Sequence, residues 1–220
     1  MDDIEARLRT ALGDPSSSGR LQAALAAGTY PDPAYVEALV ELCATEPDFS
    51  VRDMLTWALT RHPASLTVPR LLAETLAEGG QARSQALHSL SKIRDPRGWA
   101  AITDDLLRDP DDEVARTAWR AAVVLAPEDR RAELAASLAT QLGRGGRDVQ
   151  LSLSRALAEL GDAAGPALSA ARERGTARVR EHAIATERLV LDPDEGFDAA
   201  LFEAKRAVAL GDTPIGDDRP

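Results

Sequence analysis

Apolar residues recur along the chain at the three-and-four spacing of amphipathic helices, and this helical pattern itself repeats. Six segments that align with one another begin 32, 31, 32, 35 and 30 residues apart, with a second amphipathic stretch between successive segments. A two-helix repeat of this length is typical of stacked helical hairpins, in which each hairpin buries its apolar face against the next. The six inner segments begin at Gly19, Val51, Ala82, Val114, Val149 and Val179.

A second set of helices, here called outer, is predicted between the inner segments. Val36, Leu39, Val40 and Cys43 follow the i, i+3, i+4, i+7 pattern of one helix face. Glycine and proline lie between the elements, where helices stop and turns begin. Further outer helices are predicted around residues 4–12, 71–76, 102–107, 134–142, 164–171 and 197–208.

These patterns predict an all-α fold, an α-solenoid of about six helical hairpins in a right-handed superhelical stack. We expect a single array over residues 1–210, with an N-terminal cap helix at 1–13 and a C-terminal cap helix at 195–210. Residues 211–220 consist mainly of Gly, Asp, Thr and Pro without periodicity, which predicts a disordered tail.

Composition limits which residues can fill the interior and which classes of partner are expected. Hydrophobic residues make up 44% of the chain but aromatic residues only 4%, so Ala, Leu and Val must fill the interior and the helices must pack closely. The net charge is -10 and the isoelectric point about 4.8. Nucleic acids and anionic membranes are bound mainly by clustered cations, so neither is expected as a partner.

Cysteine usage and the N-terminal segment bear on location. Cys43 is the only cysteine, which excludes an intrachain disulfide and a cysteine-based zinc site. The chain begins without the basic and apolar pattern of a signal peptide, and no apolar run is long enough to cross a bilayer. We therefore expect a cytoplasmic location. Lys92 and Lys205 are the only lysines among 26 basic residues, a bias typical of GC-rich bacterial genomes.

Helical geometry separates core positions from groove positions within each inner segment. At 100° per residue, the first residue and those 4, 7, 8 and 11 positions later share one face, which is apolar and predicted to be core. Positions 2, 6 and 9 lie opposite and should point into the concave groove that solenoids use for recognition. The candidate partner-binding residues in this groove are Trp57, His88, Arg116, Arg120, Arg155 and Arg188.

Two interpretations of this arginine stripe remain open. Arginine is the common cation of the chain, so the stripe could be an ordinary solvated surface. Alternatively, guanidinium groups suit carboxylates and phosphates, and an exposed Trp57 beside them is typical of an interface anchor. The second interpretation predicts a groove for an acidic or phosphorylated protein segment. Trp99 and Trp119 are instead predicted to be packing residues.

Two local clusters and the single cysteine are predicted to have structural roles. The acidic run from Asp104 to Glu113 lacks the central glycine and the correctly spaced glutamate of a calcium loop, so we predict helix caps. The glycine-rich residues 144–147 precede a helix and could hold a phosphate, but a solvated connector is the simpler interpretation. Cys43 is predicted to be a small core residue.

Residues 109–121 read Asp-Pro-Asp-Asp-Glu-Val-Ala-Arg-Thr-Ala-Trp-Arg-Ala, which resembles the turn and inner helix of a HEAT repeat. Residues 47–55, Pro-Asp-Phe-Ser-Val-Arg-Asp-Met-Leu, form a second copy, and the resemblance extends over about residues 15–195. The segments 51–63 and 81–93 also resemble bacterial HEAT arrays that are sometimes fused to MerR-type DNA-binding domains. This resemblance implies a protein-interaction scaffold.

The resemblance also brings enzymatic HEAT-like proteins into consideration. The deoxyhypusine hydroxylases hold iron with repeated His-Glu pairs, and His62, His88 and His182 do not form such pairs. The alkylpurine DNA glycosylases need a basic concave face. Trp99 and Asp104 match their residue types, but the net charge opposes DNA binding. Bilin lyases share the repeat, and nothing in this chain marks a pigment site. No catalytic residue, cofactor, metal or small-molecule substrate is predicted.

The sequence therefore predicts a non-enzymatic scaffold or adaptor that binds an acidic or phosphorylated segment of another protein in its concave groove. Two alternatives stay open. One is an accessory or sensor subunit of a transcription regulator, and the other is a HEAT-like enzyme of the glycosylase, lyase or hydroxylase type.

Overall fold

The computed structural model describes residues 3–192 and 196–211, and all the regular structure in these ranges is helical. The chain divides into two compact units, residues 1–127 and 128–220, which are described separately. The predicted tail lies outside the described residues except for Gly211. No helix in the described ranges is both long enough and apolar enough to cross a membrane.

The described residues of unit 1 form eight α-helices arranged as four hairpins. The inner helices α2, α4, α6 and α8 lie side by side, and the outer helices flank them. The fourth hairpin differs, because its outer element is a 3-10 segment, Pro96–Ala101, followed by one short helix. The helices are α1 (Asp3–Leu12), α2 (Ser17–Thr29), α3 (Tyr35–Thr45), α4 (Phe49–Thr60), α5 (Ala64–Glu74), α6 (Gly80–Ile93), α7 (Asp104–Leu107) and α8 (Asp112–Leu125).

Unit 2 contains two hairpins and a final helix that packs on α12. Short 3-10 segments, Glu128–Arg130 and Gly161–Ala164, precede the two outer helices. With the four hairpins of unit 1, these confirm the predicted all-α class of stacked helical hairpins. The helices are α9 (Arg131–Ala139), α10 (Arg147–Glu159), α11 (Gly165–Arg174), α12 (Ala177–Leu191) and α13 (Phe197–Gly211).

The predicted core positions are buried in both units. In α4, Val51, Leu55, Ala58 and Leu59 are all buried. Small residues dominate the same layer in α8, where most positions between 114 and 125 are buried. Because alanine side chains are short, neighbouring inner helices approach closely enough to pack without aromatic residues. In α10 the buried set is Val149, Leu153, Ala156 and Leu157, with Leu160 just after the helix.

An arginine near the start of several inner helices closes the turn that precedes the helix. Arg20, Arg52 and Arg83 occupy the second position of their inner segments. Each donates through Nη1 to the backbone carbonyls of the residues five and six positions earlier, at 2.7–3.2 Å. Carbonyls that end a helix or lie in a turn have no partner within a helix, so these bonds satisfy groups that would otherwise need water.

Two of these arginines also bind a carboxylate from the next hairpin. Arg20 makes two bonds to Glu46, at 2.7 and 2.8 Å, and Glu46 is only 1% exposed. The hydrogen bonds from Arg20 lower the pKa of Glu46 more than burial raises it. Arg83 pairs with the buried Asp109 at 3.0 Å. The turn of one repeat is thus linked to the turn of the next.

The irregular fourth outer element follows from its sequence. Pro96 and Gly98 disfavour a regular α-helix, and Asp95 caps the 3-10 segment by accepting from the Arg97 amide. The predicted helix at 102–107 therefore shrinks to α7. Trp119 fills the space behind it, fully buried, and donates its indole N–H to the Leu107 carbonyl at 2.9 Å. Its predicted packing role is confirmed.

The acidic run before α8 is explained by capping. Thr103 accepts from the Leu106 amide at the start of α7. Asp109 accepts from the Asp111 amide, and Asp111 accepts from the Glu113 amide at the start of α8. Carboxylates at these positions satisfy free amides and favour the helix dipole.

A buried polar network surrounds His182 in unit 2. Its Nδ1 accepts from the Gly143 amide at 2.9 Å, so the ring proton lies on Nε2, which faces the Gln150 carbonyl and Ser154 Oγ at 3.0 Å. Ser154 in turn contacts Thr186 Oγ1 at 2.7 Å. Burial lowers the pKa of His182 to about 4, with a smaller effect of the same sign from the charge of Arg178.

We expect Asp109→Ala to lower the free energy of unfolding of unit 1 by about 3 kcal/mol, because it leaves Arg83 without its buried carboxylate. Urea unfolding followed by circular dichroism measures the change. Glu133→Ala removes an exposed ion pair with Arg130 and should leave the midpoint unchanged. Equal effects of the two substitutions would contradict the role given to the turn arginines.

We expect the stability of unit 2 to fall as the pH drops from about 6.5 towards about 4. In that window the unfolded chain protonates His182 while the folded chain keeps it neutral, so unfolding takes up a proton. The loss can reach about 3 kcal/mol. Thermal unfolding at several pH values measures it, and His182→Gln should flatten the upper part of this dependence, above the range where carboxylates titrate.

Candidate protein-binding surface

The groove positions predicted in unit 1 lie together on its inner helices. On α4, Phe49, Asp53 and Trp57 are four residues apart and form one stripe, all exposed. Phe49 lies against the guanidinium of Arg52, 5.9 Å from its ring centre. We call this stripe, together with His88 of α6 and the adjoining surface of α8, the inner face of unit 1.

Trp57 is held in place by a glycine on the neighbouring helix. A Cβ added to Gly28 of α2 would come within 2.3 Å of Trp57 Cζ3 and 2.9 Å of the Ala58 backbone. Only glycine permits this approach, so the indole packs on α2 and still keeps 37% of its surface exposed. A ring held on one side and open on the other is suited to bind an apolar group with little loss of side-chain entropy.

The cationic side chains of the inner face lie on α8. Arg116 pairs with Glu113 at 2.5 Å, so it must break this ion pair before it binds another anion. Arg120 is exposed, and its hydrogen bonds go only to neutral oxygens, Thr117 Oγ1 at 3.0 Å and the Arg116 carbonyl at 3.2 Å. Among the described residues no carboxylate forms a salt bridge with Arg120. Of the two arginines, Arg120 is therefore the one available to bind an anion.

A cleft of about 300 Å³ lies between the stripe on α4 and Arg120 on α8. Its walls combine an aromatic ring, hydroxyl and amide groups, and charges of both signs. Hydroxyl pairs hold the helices beneath it, since Thr56 contacts Ser89 at 3.3 Å and Ser84 contacts Thr117 at 3.0 Å. The lining residues are Phe49, Arg52, Asp53, Ser84, Gln85, His88, Glu113, Thr117 and Arg120.

The electrostatics of this cleft favour a neutral imidazole at His88 beside the cationic Arg120. Burial lowers the pKa of His88, and the charges of Lys92 and Arg120 lower it further, against a smaller opposing effect of Asp53. Desolvation by the cleft walls and the charge of Arg116 lower the pKa of Arg120, which still remains cationic. An added anion near Arg120 would relieve this repulsion between cations.

In unit 2 the equivalent surface is partly covered by α13. Ala185 of α12, at a predicted groove position, packs under Phe197 and Ala200, and Leu151 of α10 lies against the same cluster. Leu151 and Ala185 are therefore not open to the groove as predicted, because α13 packs across them. The contact is reinforced by an exposed ion pair in which Arg147 makes two 2.7 Å bonds to Asp198.

The two predicted arginines of unit 2 differ in exposure. Arg155 on α10 is exposed and makes no ion pair or hydrogen bond with the described part of the chain. Arg188 on α12 is half-buried. Within unit 1, His88 and Arg120 line the same cleft, Arg116 lies one turn before Arg120 on α8, and Trp57 lies on α4 against α2. Arg155 and Arg188 are described only within unit 2.

Sequence analysis missed Phe49 and Arg52 as parts of the surface. Phe49 precedes the first residue of its aligned segment, so counting from Val51 leaves it out. The signal was present nonetheless, since Phe49 lies four residues before Asp53 and eight before Trp57. Arg52 was counted only as part of the repeat pattern.

The described residues show no group of three or more His, Cys, Asp or Glu side chains placed to hold a metal ion. Cys43 is buried, and burial raises the pKa of its thiol to about 12. A thiol of that pKa is protonated at neutral pH and lacks the thiolate needed for nucleophilic attack.

Comparison with known proteins gives one family. The family model described as HEAT repeats matches residues 1–60, which supports a HEAT-repeat protein. No curated protein matches the chain. Among solved structures, the crystal structure of an engineered protein from the Northeast Structural Genomics Consortium is similar to the chain. The two share 18% identity with a TM-score of 0.45, over 89% of this chain and 100% of that one.

We expect Gly28→Ala to displace Trp57 and to destabilise unit 1 by about 1–3 kcal/mol, because the new methyl group meets both the ring and the α4 backbone. Tryptophan fluorescence and urea unfolding measure the two effects. Gly165→Ala is the matched control, since nothing lies within 4 Å of a Cβ at that position. An unchanged emission spectrum for Gly28→Ala would show that Trp57 is not held by α2.

Proposed function

We propose that the protein is a non-enzymatic, cytoplasmic scaffold or adaptor whose inner face in unit 1 binds an acidic or phosphorylated segment of another protein. HEAT repeats generally act as protein-interaction scaffolds, and the matched repeats fit that role. Trp57 and Phe49 would contact apolar side chains of the segment, and Arg120 would bind its carboxylate or phosphate. Arg155 and Arg188 in unit 2 are proposed as additional contacts.

The observation that carries this proposal is the placement of aromatic residues. The chain has only three Trp, two Tyr and three Phe. Even so, Tyr30, Phe49 and Trp57 of unit 1 are 78%, 73% and 37% exposed. Because the interior is filled mainly by alanine and leucine, these aromatic residues are not required there and lie at the surface. Aromatic side chains dominate the hot spots of protein interfaces, so the exposed pair Phe49 and Trp57 on one face of α4 supports a binding surface there.

Arg120 gives the surface its preference for anions. An arginine already paired with a carboxylate must break that pair before it binds a partner, whereas Arg120 has only neutral acceptors to exchange. Asp53 and Glu113 on the same cleft disfavour a uniformly acidic ligand. The segment that fits best carries an apolar or aromatic residue for the α4 stripe and one anionic group for Arg120.

We expect Arg120→Glu to abolish recovery of the partner without loss of the fold. The double variant Arg120→Glu with Arg155→Glu should give the same result. The full chain, immobilised as bait in extract of its native host, recovers the partner for mass spectrometry. Charge-assisted contacts at an open surface are screened over about 8 Å at physiological ionic strength, so recovery should also fall with added salt. Trp57→Ala should weaken binding by about 2 kcal/mol.

Charge reversal at Arg108, which is exposed on the outer side beside α7, serves as the control and should not affect recovery. If the Arg108 variant loses the partner while the Arg120 variant keeps it, the functional surface lies on the outer helices. Unchanged circular dichroism of all variants separates lost contacts from lost structure.

A further inference from the structure

The outer side of unit 1 contains a second cavity, of about 550 Å³, between α5 and the irregular residues 96–107. Its origin is the replacement of a full outer helix by a 3-10 segment and the single turn of α7. The next outer neighbour of α5 is therefore the short 3-10 segment and not a full helix, and the cavity lies beside the C-terminal residues of α5. We call this cavity the α5–α7 pocket.

Most of the α5–α7 pocket is apolar. Leu72, Ala73 and Leu76 line it from α5 and the residues that follow, and Ala101 and Leu106 line it from the other side. Leu76 is 83% exposed at the rim, the second-highest exposure among the large apolar side chains of the described residues. Burial of such a side chain by a ligand is favourable because apolar surface is removed from water.

The polar groups of the pocket differ between floor and rim. At the floor, Arg83 is bound to Asp109 at 3.0 Å and to two backbone carbonyls, so its charge is neutralised. At the rim, Asp105 is exposed and forms no ion pair within the described residues. An apolar cavity with an uncompensated carboxylate at its edge is complementary to an apolar side chain that has a cation beside it.

We propose that the α5–α7 pocket binds a cationic amphipathic segment of another protein, with a leucine-like side chain in the cavity and a lysine or arginine paired with Asp105. This occupant has the opposite charge to the one proposed for the inner face. The two surfaces together give the adaptor two sites of different chemistry on opposite layers of unit 1. The pocket proposal does not depend on the inner face being functional.

A random peptide library displayed on phage, selected on the immobilised full chain, tests the proposal. We expect one enriched class to combine Leu or Ile with Lys or Arg. A synthetic peptide of that class should bind about tenfold more weakly to Leu76→Asn, which removes the apolar rim without adding a charge. Asp105→Arg should weaken the same peptide about fivefold and should select peptides with an acidic residue in place of the basic one.

Matched controls keep the result interpretable. Asp129→Arg reverses an exposed carboxylate in unit 2 and should leave the peptide affinity unchanged. Arg120→Glu should remove only acidic peptides, so failure of the inner face and failure of the α5–α7 pocket give different results. Thermal unfolding identifies any variant that has lost its fold, and Ala73→Gln, a conservative helical change that narrows the pocket, provides a second test.

Three outcomes would overturn the proposal. The first is a selection without a basic and apolar class. The second is a peptide of that class that binds the Leu76→Asn and Ala73→Gln variants as well as it binds the unaltered chain. The third is concentration-dependent self-association that Leu76→Asn removes, which would make a second copy of the chain the occupant.

Discussion

The bond on which the rest of unit 1 depends is the one from an inner-helix arginine to the carbonyls of its own turn. A helical hairpin leaves unpaired carbonyls where its outer helix ends, and these lie close to the interface with the next hairpin. Arg20, Arg52 and Arg83 each bind two of them, which fixes the path of the turn and the start of the inner helix. Arg20 through Nε and Nη2, and Arg83 through Nη2, then bind a carboxylate of the next repeat. One side chain thus closes a turn and joins two repeats.

This arrangement explains why the surface of the inner helices is available for binding. The turn arginines and the alanine-rich core hold the stack, so the positions that face away from the core are not needed for stability. Trp57 is the instructive case, because Gly28 beneath it allows a large ring to lie flat on the next helix while part of it stays exposed. Unit 2 uses the same kind of surface differently. There α13 packs on Ala185, and only part of the face remains open.

The features that could be predicted from the sequence are those set by periodicity. Val51, Leu55 and Leu59 recur at helical spacing, so their burial and the all-α class follow from the pattern alone. The deviations depend on contacts between residues far apart in sequence. No local pattern indicates that Phe197 packs over Ala185, and the length of a helix interrupted by Pro96 and Gly98 depends on what fills the space beside it. The same limit applies to Arg20, whose bond to Glu46 spans 26 residues.

The net charge of -10 gives the proposed inner face a particular kind of selectivity. An acidic protein repels acidic segments in general, and that repulsion is screened beyond about 8 Å at physiological ionic strength. Around Arg120, burial lowers the pKa of both His88 and Arg120, and the nearby cations Lys92, Arg116 and Arg120 add to this effect against the opposing charges of Asp53 and Glu113. Attraction therefore begins only when an anionic group is already within a few ångströms of the cleft. Such a surface gains little from long-range steering and depends instead on the fit of the contacts it makes, the aromatic stripe of α4 on one side and the guanidinium of α8 on the other. In this arrangement the surface selects ligands that contact the aromatic stripe and Arg120 at the same time.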